Sequence, residues 1–116
     1  MKNLLISLML ISTTALSQIP TTWNSVGPGG GGAMFNPSIN PANSNEYYVA
    51  CDMSEYFHST DFGNSYSVLD FKSIQSGPNG VIRFTNNASI LYAVQDANDL
   101  AIPVKSIDGG QTWNAL

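Results

Sequence analysis

Cysteine and histidine are nearly absent: the chain holds one of each, Cys51 and His58, in 116 residues. A single cysteine cannot close an internal disulfide, so a small secreted domain held together by cross-links is excluded. Cys51 falls in the apolar run Tyr47-Tyr48-Val49-Ala50-Cys51 and reads as a small buried residue; as a nucleophile it would need His58 beside it in space. Basic residues are equally scarce. Past an N-terminal leader, only Lys72, Arg83 and Lys105 stand against eight acidic side chains, a formal charge of −5. No basic patch is left to neutralise phosphates, which excludes a nucleic-acid partner, and no polybasic surface is left for an anionic membrane. A long hydrophobic run is missing as well. The stretch from Leu4 to Ile11 is too short to cross a bilayer and no second one follows, so no membrane span is expected.

That short run belongs to a recognisable N-terminal pattern, MKNLLISLMLISTTALSQ. Lys2 precedes the apolar stretch, and small residues follow it, as in a secretory signal peptide. Residues 1–17 are expected to be that peptide, with cleavage after Ser17. The remainder, 18–116, is then secreted or held at the cell surface, on the bacterial pattern. No cysteine stands at the cleavage point to carry a lipid anchor.

Helical periodicity is missing from the rest of the chain. In its place are short runs rich in Tyr, Phe, Val and Ile, separated by Gly, Pro, Asn and Ser clusters. Short strands with frequent turn signals predict an all-β fold. An internal repeat organises them. Ser59-Thr60-Asp61-Phe62-Gly63-Asn64-Ser65-Tyr66 aligns with Ser106-Ile107-Asp108-Gly109-Gly110-Gln111-Thr112-Trp113, 47 residues further on. A similar pair of strands precedes each copy and closes on Asp52 or Asp96. One unit is therefore expected to be four strands, A (32–35), B (47–52), C (56–59) and D (65–69). The second unit repeats them at 80–85, 90–94, 102–106 and 111–116. Four strands in a repeat of this length predict a β-propeller blade, and closing a ring takes about four to eight blades. The expected fold is all-β: two four-stranded blades of an incomplete propeller. The 116 residues thus read as the N-terminal part of a longer chain, whose remaining blades are their first partners. A further tryptophan strand, Thr21-Thr22-Trp23-Asn24-Ser25-Val26, reads as an outer strand that completes the ring's last blade or packs beside it.

The repeated motif resembles the Asp-box, or BNR repeat, of bacterial sialidases, sortilin-type receptors and xyloglucan-cleaving hydrolases. The copy at Ser106, Asp108, Gly110 and Trp113 matches at every defined position. The copy at Ser59, Asp61, Gly63 and Tyr66 has Tyr in place of Trp. The motif suits a tight hairpin between strands C and D. Its aspartate can accept bonds from backbone N–H groups of its own turn, its glycine takes a backbone shape that side chains resist, and its aromatic ring packs beside the hairpin. These residues are expected to be structural, because in the families it resembles the box sits on the rim away from the catalytic face.

A longer stretch, Trp23 to Gly63, is similar to the opening of xyloglucanase-type glycoside hydrolases of the double-propeller kind. The shared order is a Trp strand, a Gly-rich loop, an apolar strand with Asn-Pro turns, and a Tyr strand ending in Asp. That resemblance implies that Asp52 is one of two catalytic carboxylates. Where those hydrolases commonly carry a glycine pair, this chain has Ser54-Glu55. Inverting glycosidases set an acid and a base about 6.5–9.5 Å apart. Asp52 would be the base, and the acid would come from a second propeller, so the fragment alone is expected to be inactive. Read from the residues alone, Asp52 is equally a turn residue at a strand end, as is Asp96. The run Gly27–Gly32 lacks the Lys and following helix of a phosphate loop. Arg83 is single where sialidases use three arginines. Tyr47, Tyr48, Tyr56 and Phe57 are candidates to stack on sugars or to fill the core. No cofactor and no metal are expected. The implied partner is a polysaccharide; the alternative is a non-catalytic secreted or cell-surface propeller used for binding, adhesion or assembly.

Overall fold

The computed structural model describes residues 21, 22, 24, 27, 32–97 and 100–116. The leader, the Trp23 strand and most of the Gly27–Gly32 run lie outside the described residues. Eight strands form two four-stranded antiparallel sheets, and no helix occurs among the described residues. The first sheet holds β1 (Met34–Asn40), β2 (Asn43–Cys51), β3 (Tyr56–Ser59) and β4 (Ser67–Val68). The second holds β5 (Val81–Phe84), β6 (Leu91–Ala97), β7 (Leu100–Ser106) and β8 (Asn114–Ala115). Each is a simple meander, with neighbours in sequence hydrogen-bonded side by side. The all-β expectation and the division into two four-stranded units hold.

The registers show the repeat in three dimensions. Tyr48 lies opposite His58 and Ala50 opposite Tyr56 in the first sheet. Tyr92 opposite Lys105 and Val94 opposite Pro103 take the same places in the second. Because side chains alternate across a strand, Tyr48, Ala50 and Tyr56 share one face, and Tyr47, Val49 and Phe57 the other. The first of these faces packs on Ile82, Leu91, Ala93 and Val104 of the second sheet, and with Ile74 they make one buried core. Tyr48 reaches across to Phe84, with ring centroids 5.5 Å apart, and the Tyr56 hydroxyl donates to the Val94 carbonyl at 2.7 Å.

Several boundaries differ from those read in the sequence: β2 begins earlier, at Asn43, while β6 and β7 extend to Ala97 and Leu100 where they meet. Strand A was expected to stop at Phe35 before an Asn-rich turn, yet β1 continues to Asn40. The Asn36-Pro37 pair is absorbed as a bulge, with the register shifting between Phe35 and Ser38. Pro37 has no N–H to give a ladder, and Asn36 takes a left-handed φ of 46°, a conformation Asn tolerates better than most residues. The Asn36 side chain donates to the carbonyls of Pro78 and Gly80, at 3.1 and 2.9 Å, and so ties the bulge to the entry of the second sheet. The last strand of each unit is shorter than expected. Ser65 and Thr112 give their N–H groups to Asp61 and Asp108, so the ladder starts only at Ser67 and Asn114.

The chain crosses between sheets over one of their ends. Ser76 N–H donates to Ser54 O, and Asp96 N–H donates to Gln75 O, each at 3.1 Å. The buried Ser76 hydroxyl accepts from Cys51 N–H at 3.1 Å. This crossover is therefore bonded to both sheets at the end where β2 and β6 finish.

Candidate functional site

The two ends of the sheets carry different chemistry. At one end lie the β3–β4 and β7–β8 hairpins with Asp61 and Asp108. At the other lie Asp52, just past β2, and Asp96, near the end of β6.

The hairpins make the same bonds twice. The Ser59 hydroxyl donates to Asp61 at 2.9 Å and accepts from Gly63 N–H at 2.8 Å. The Ser106 hydroxyl donates to Asp108 at 2.7 Å and accepts from Gly110 N–H at 2.8 Å. Each carboxylate also accepts from the backbone N–H and the hydroxyl of the residue four places on, at 2.9 and 2.6 Å in both copies. Gly63 and Gly110 have φ of 82° and 90°. Trp113 Nε1 donates to the Gly110 carbonyl at 3.1 Å, whereas the Tyr66 hydroxyl bonds that of Tyr47. Every acceptor oxygen of Asp61 and Asp108 faces its own turn, an arrangement that holds a loop rather than a ligand.

These bonds have a pH signature. The Thr112 hydroxyl, then its N–H, then the Ser106 hydroxyl stabilise the ionised carboxylate and bring Asp108 down to about 2. The Ser65 hydroxyl, first among several donors, lowers Asp61 as well. A carboxylate whose folded value is depressed stabilises the fold above its unfolded value, about 4, and loses that contribution as pH falls through the folded value. The melting temperature is therefore expected to fall between pH 4 and about 2, and less steeply in Asp108→Asn. Equal slopes for the two proteins, in melts recorded by circular dichroism, would contradict this.

At the opposite end, a cleft of about 490 Å³ is lined by Asp52, Ser54, Ser76, Gly77, Pro78, Asn79 and Asp96. It lies under the crossover, between the ends of the two sheets. Asp52 is exposed. Among the described residues the Cys51 thiol is its one side-chain donor, at 3.8 Å, which leaves acceptor capacity for a ligand. Gly32 lies hard against it: a Cβ at that position would sit 1.7 Å from Asp52 Oδ1. Asp96 has the matching arrangement, with a Cβ on Gly77 falling 2.6 Å from its Oδ2. The backbone N–H and side-chain amide of Asn79 both donate to that oxygen at 3.2 Å. The two equivalent carboxylates thus differ. Asp96 holds the crossover in place, and Asp52 remains available. Ser54, in the turn after Asp52, has a φ of 80°, the left-handed shape that favours glycine.

The other residues considered from the sequence fall elsewhere. Tyr48 and Tyr56 are buried in the core, and Tyr47 and Phe57 are half-buried on the first sheet's outer face. Cys51 is a buried free thiol. His58 stacks on Tyr48, centroids 4.1 Å apart, and bonds Glu46 at 3.1 Å. Arg83 is exposed, opposite Tyr92. Among the described residues no three His, Cys, Asp or Glu side chains converge where a metal ion would be held. The crossover wall, Ser76 to Asn79, was not singled out from the sequence. A signal for it exists: Gly77-Pro78-Asn79-Gly80 repeats the Gly-Pro-Gly-Gly run at 27–30.

Two stacked antiparallel four-stranded meanders, repeated in the same register and joined over one end, are blades of the β-propeller class. Among solved structures, the chain is similar to the crystal structure of a GH74 enzyme from Niastella koreensis. The TM-score is 0.51 at 23% identity, over 68% of this chain and 13% of that one. At that identity the likeness speaks for the fold, and the chain spans only a small part of the enzyme's length. Comparison with protein-family profiles and with curated proteins finds no match.

Proposed function

We propose that this chain supplies two Asp-box blades to a polysaccharide-acting propeller, a glycoside hydrolase of xyloglucanase type, exported by the leader at residues 1–17. The observation that carries the reading is the cleft between the blade ends. There a free aspartate, Asp52, stands beside a wall pinned by its counterpart, Asp96. The propeller fold shared with a GH74 enzyme supports it. So does the turn after Asp52: Ser54 keeps a left-handed backbone where the hydrolases it resembles commonly carry glycine.

In this reading Asp52 is the general base. It takes a proton from a water molecule that attacks the anomeric carbon, while an acid from another part of the whole protein protonates the departing glycosidic oxygen. The C–O bond breaks as the new one forms, and the sugar's configuration inverts. Asp96 acts through Asn79, and Asp61 and Asp108 hold the far rim. A second reading, binding without catalysis, is favoured by the exposure of Asp52, Ser54, Pro78 and Asn79 around the cleft.

Calorimetric titration of the full chain with xyloglucan oligosaccharides tests the site. Saturable binding is expected, weakened tenfold or more in Asp52→Ala, about 1.4 kcal/mol. Gln111→Ala, exposed at the opposite end, should bind as the parent does. Absence of binding, or binding indifferent to Asp52, would overturn the assignment.

A further inference from the structure

The interface between the two sheets joins unlike faces. The first sheet contributes the face with Tyr48, Ala50 and Tyr56; the second contributes the face with Leu91, Ala93 and Val104. Each sheet has its other face turned outward. The registers show what those outer faces are. Tyr92, Val94, Pro103 and Lys105 on the second sheet occupy the places of Tyr48, Ala50, Tyr56 and His58. Tyr47, Val49 and Phe57 on the first sheet occupy the places of Leu91, Ala93 and Val104. The outer face of the second sheet is therefore the counterpart of the face that the second sheet already covers. The outer face of the first sheet is the counterpart of the face that does the covering.

We propose that these outer faces dock on each other between copies, so that the 116-residue chain associates head to tail with a second copy of itself. In the ring proposed above, neighbouring blades would take these places; for the chain on its own, the complementary face is another copy's. The surfaces fit the role. The outer face of the first sheet carries exposed Ile39 and Val68, aligned with Tyr47 and Phe57 respectively. It has an apolar groove of about 230 Å³ between Pro37, Ile39, Tyr47 and Phe62. The outer face of the second sheet has a similar groove, about 210 Å³, lined by Val81, Tyr92, Pro103 and Leu116. Lys105 lies over the Tyr92 ring, 5.5 Å from its centroid, as His58 lies over Tyr48 at the covered interface. An outer face of one kind on each side makes the contact heterologous, so each added copy leaves one face open for the next.

Two blocked variants test this by sedimentation. Ile39→Glu with Val68→Glu charges the first outer face. Tyr92→Lys places a third cation beside Arg83 and Lys105 on the second. The parent chain is expected to gain mass with concentration. Each variant alone should stay monomeric, and the two mixed should form a one-to-one dimer that grows no further. Near-ultraviolet circular dichroism checks that tyrosine packing survives; Leu116→Glu replaces Tyr92→Lys if it does not. A parent that stays monomeric at every concentration, a variant that dimerises alone, or a mixture that fails to pair would each overturn the proposal. Because it rests on the registers and not on the cleft, it stands or falls separately from oligosaccharide binding.

Discussion

Replacing Tyr56 with alanine is expected to destabilise the chain by about 3–5 kcal/mol, the range for deleting a buried aromatic ring. Tyr56 is 1% exposed and sits in the core shared by both sheets. Its ring belongs to the cluster that holds Ile74 and, from the second sheet, Ile82 and Leu91, and its hydroxyl carries the bond to Val94 O. Gly80 makes room for that hydroxyl, since a Cβ there would lie 2.7 Å from it. Burial pushes the phenol above its ordinary value, so the donor keeps its proton across the neutral range. Tyr56→Phe separates the two contributions. It retains the ring and removes the hydroxyl's bonds to the Val94 carbonyl, Ser76 and the Val81 backbone, at a cost of about 1–3 kcal/mol. Thermal melts of the three proteins check the order: parent highest, Phe intermediate, Ala lowest. A Phe variant as unstable as the Ala variant would mean that the hydroxyl, not the ring, joins the blades.

Gly110→Ala is expected to be the most damaging single change in either hairpin. A left-handed backbone costs a non-glycine residue about 1–3 kcal/mol, and Gly110 has a φ of 90°. Space is short as well: a Cβ would fall 3.0 Å from the Tyr48 hydroxyl and 3.2 Å from Leu91 Cδ1. Both belong to buried core residues that cannot retreat, which adds about 1–3 kcal/mol of overpacking. Its neighbour Gly109 provides the control. It too is left-handed, at 72°, but an added Cβ would meet only Ala88 O at 3.8 Å. Gly109→Ala should therefore lose the backbone contribution alone. Equal losses of melting temperature in the two variants would show that the hairpin does not press on the core.

The hairpins were legible in the sequence because their bonds are local. Ser59, Asp61, Gly63 and Ser65 lie within one turn, so spacing alone encodes the geometry, and the second copy repeats it. Strand C of the first unit was legible for the same reason: Tyr56–Ser59 is bounded by a turn on each side, whereas its counterpart in the second unit starts two residues before the expected Ile102. The place of Asp52 could be read from the strand before it, and that of Asp96 from the repeat. What could not be read depends on contacts distant in the chain. Asn36 looks like a turn residue, and only the carbonyls of Pro78 and Gly80, more than forty residues on, explain why β1 bulges there instead of ending. The cleft wall is similar. Ser76 has no periodic neighbours to mark it, and its role comes from bonds to Ser54 and Cys51 across the sheet end. The faces of the sheets were also hidden, because alternation along Tyr47, Tyr48, Val49 and Ala50 shows two apolar sides without saying which one is covered.

The proposed function puts ligand binding at the end of the blades that carries Asp52, and a structural role at the end that carries Asp61 and Asp108. Amide chemical-shift mapping of the full chain with a xyloglucan oligosaccharide tests it most directly. Shifts are predicted at Asp52, Ser54, Ser76, Gly77, Asn79 and Asp96, with the hairpins at 59–66 and 106–113 unmoved. Shifts centred on the hairpins, or none at either end, would contradict it.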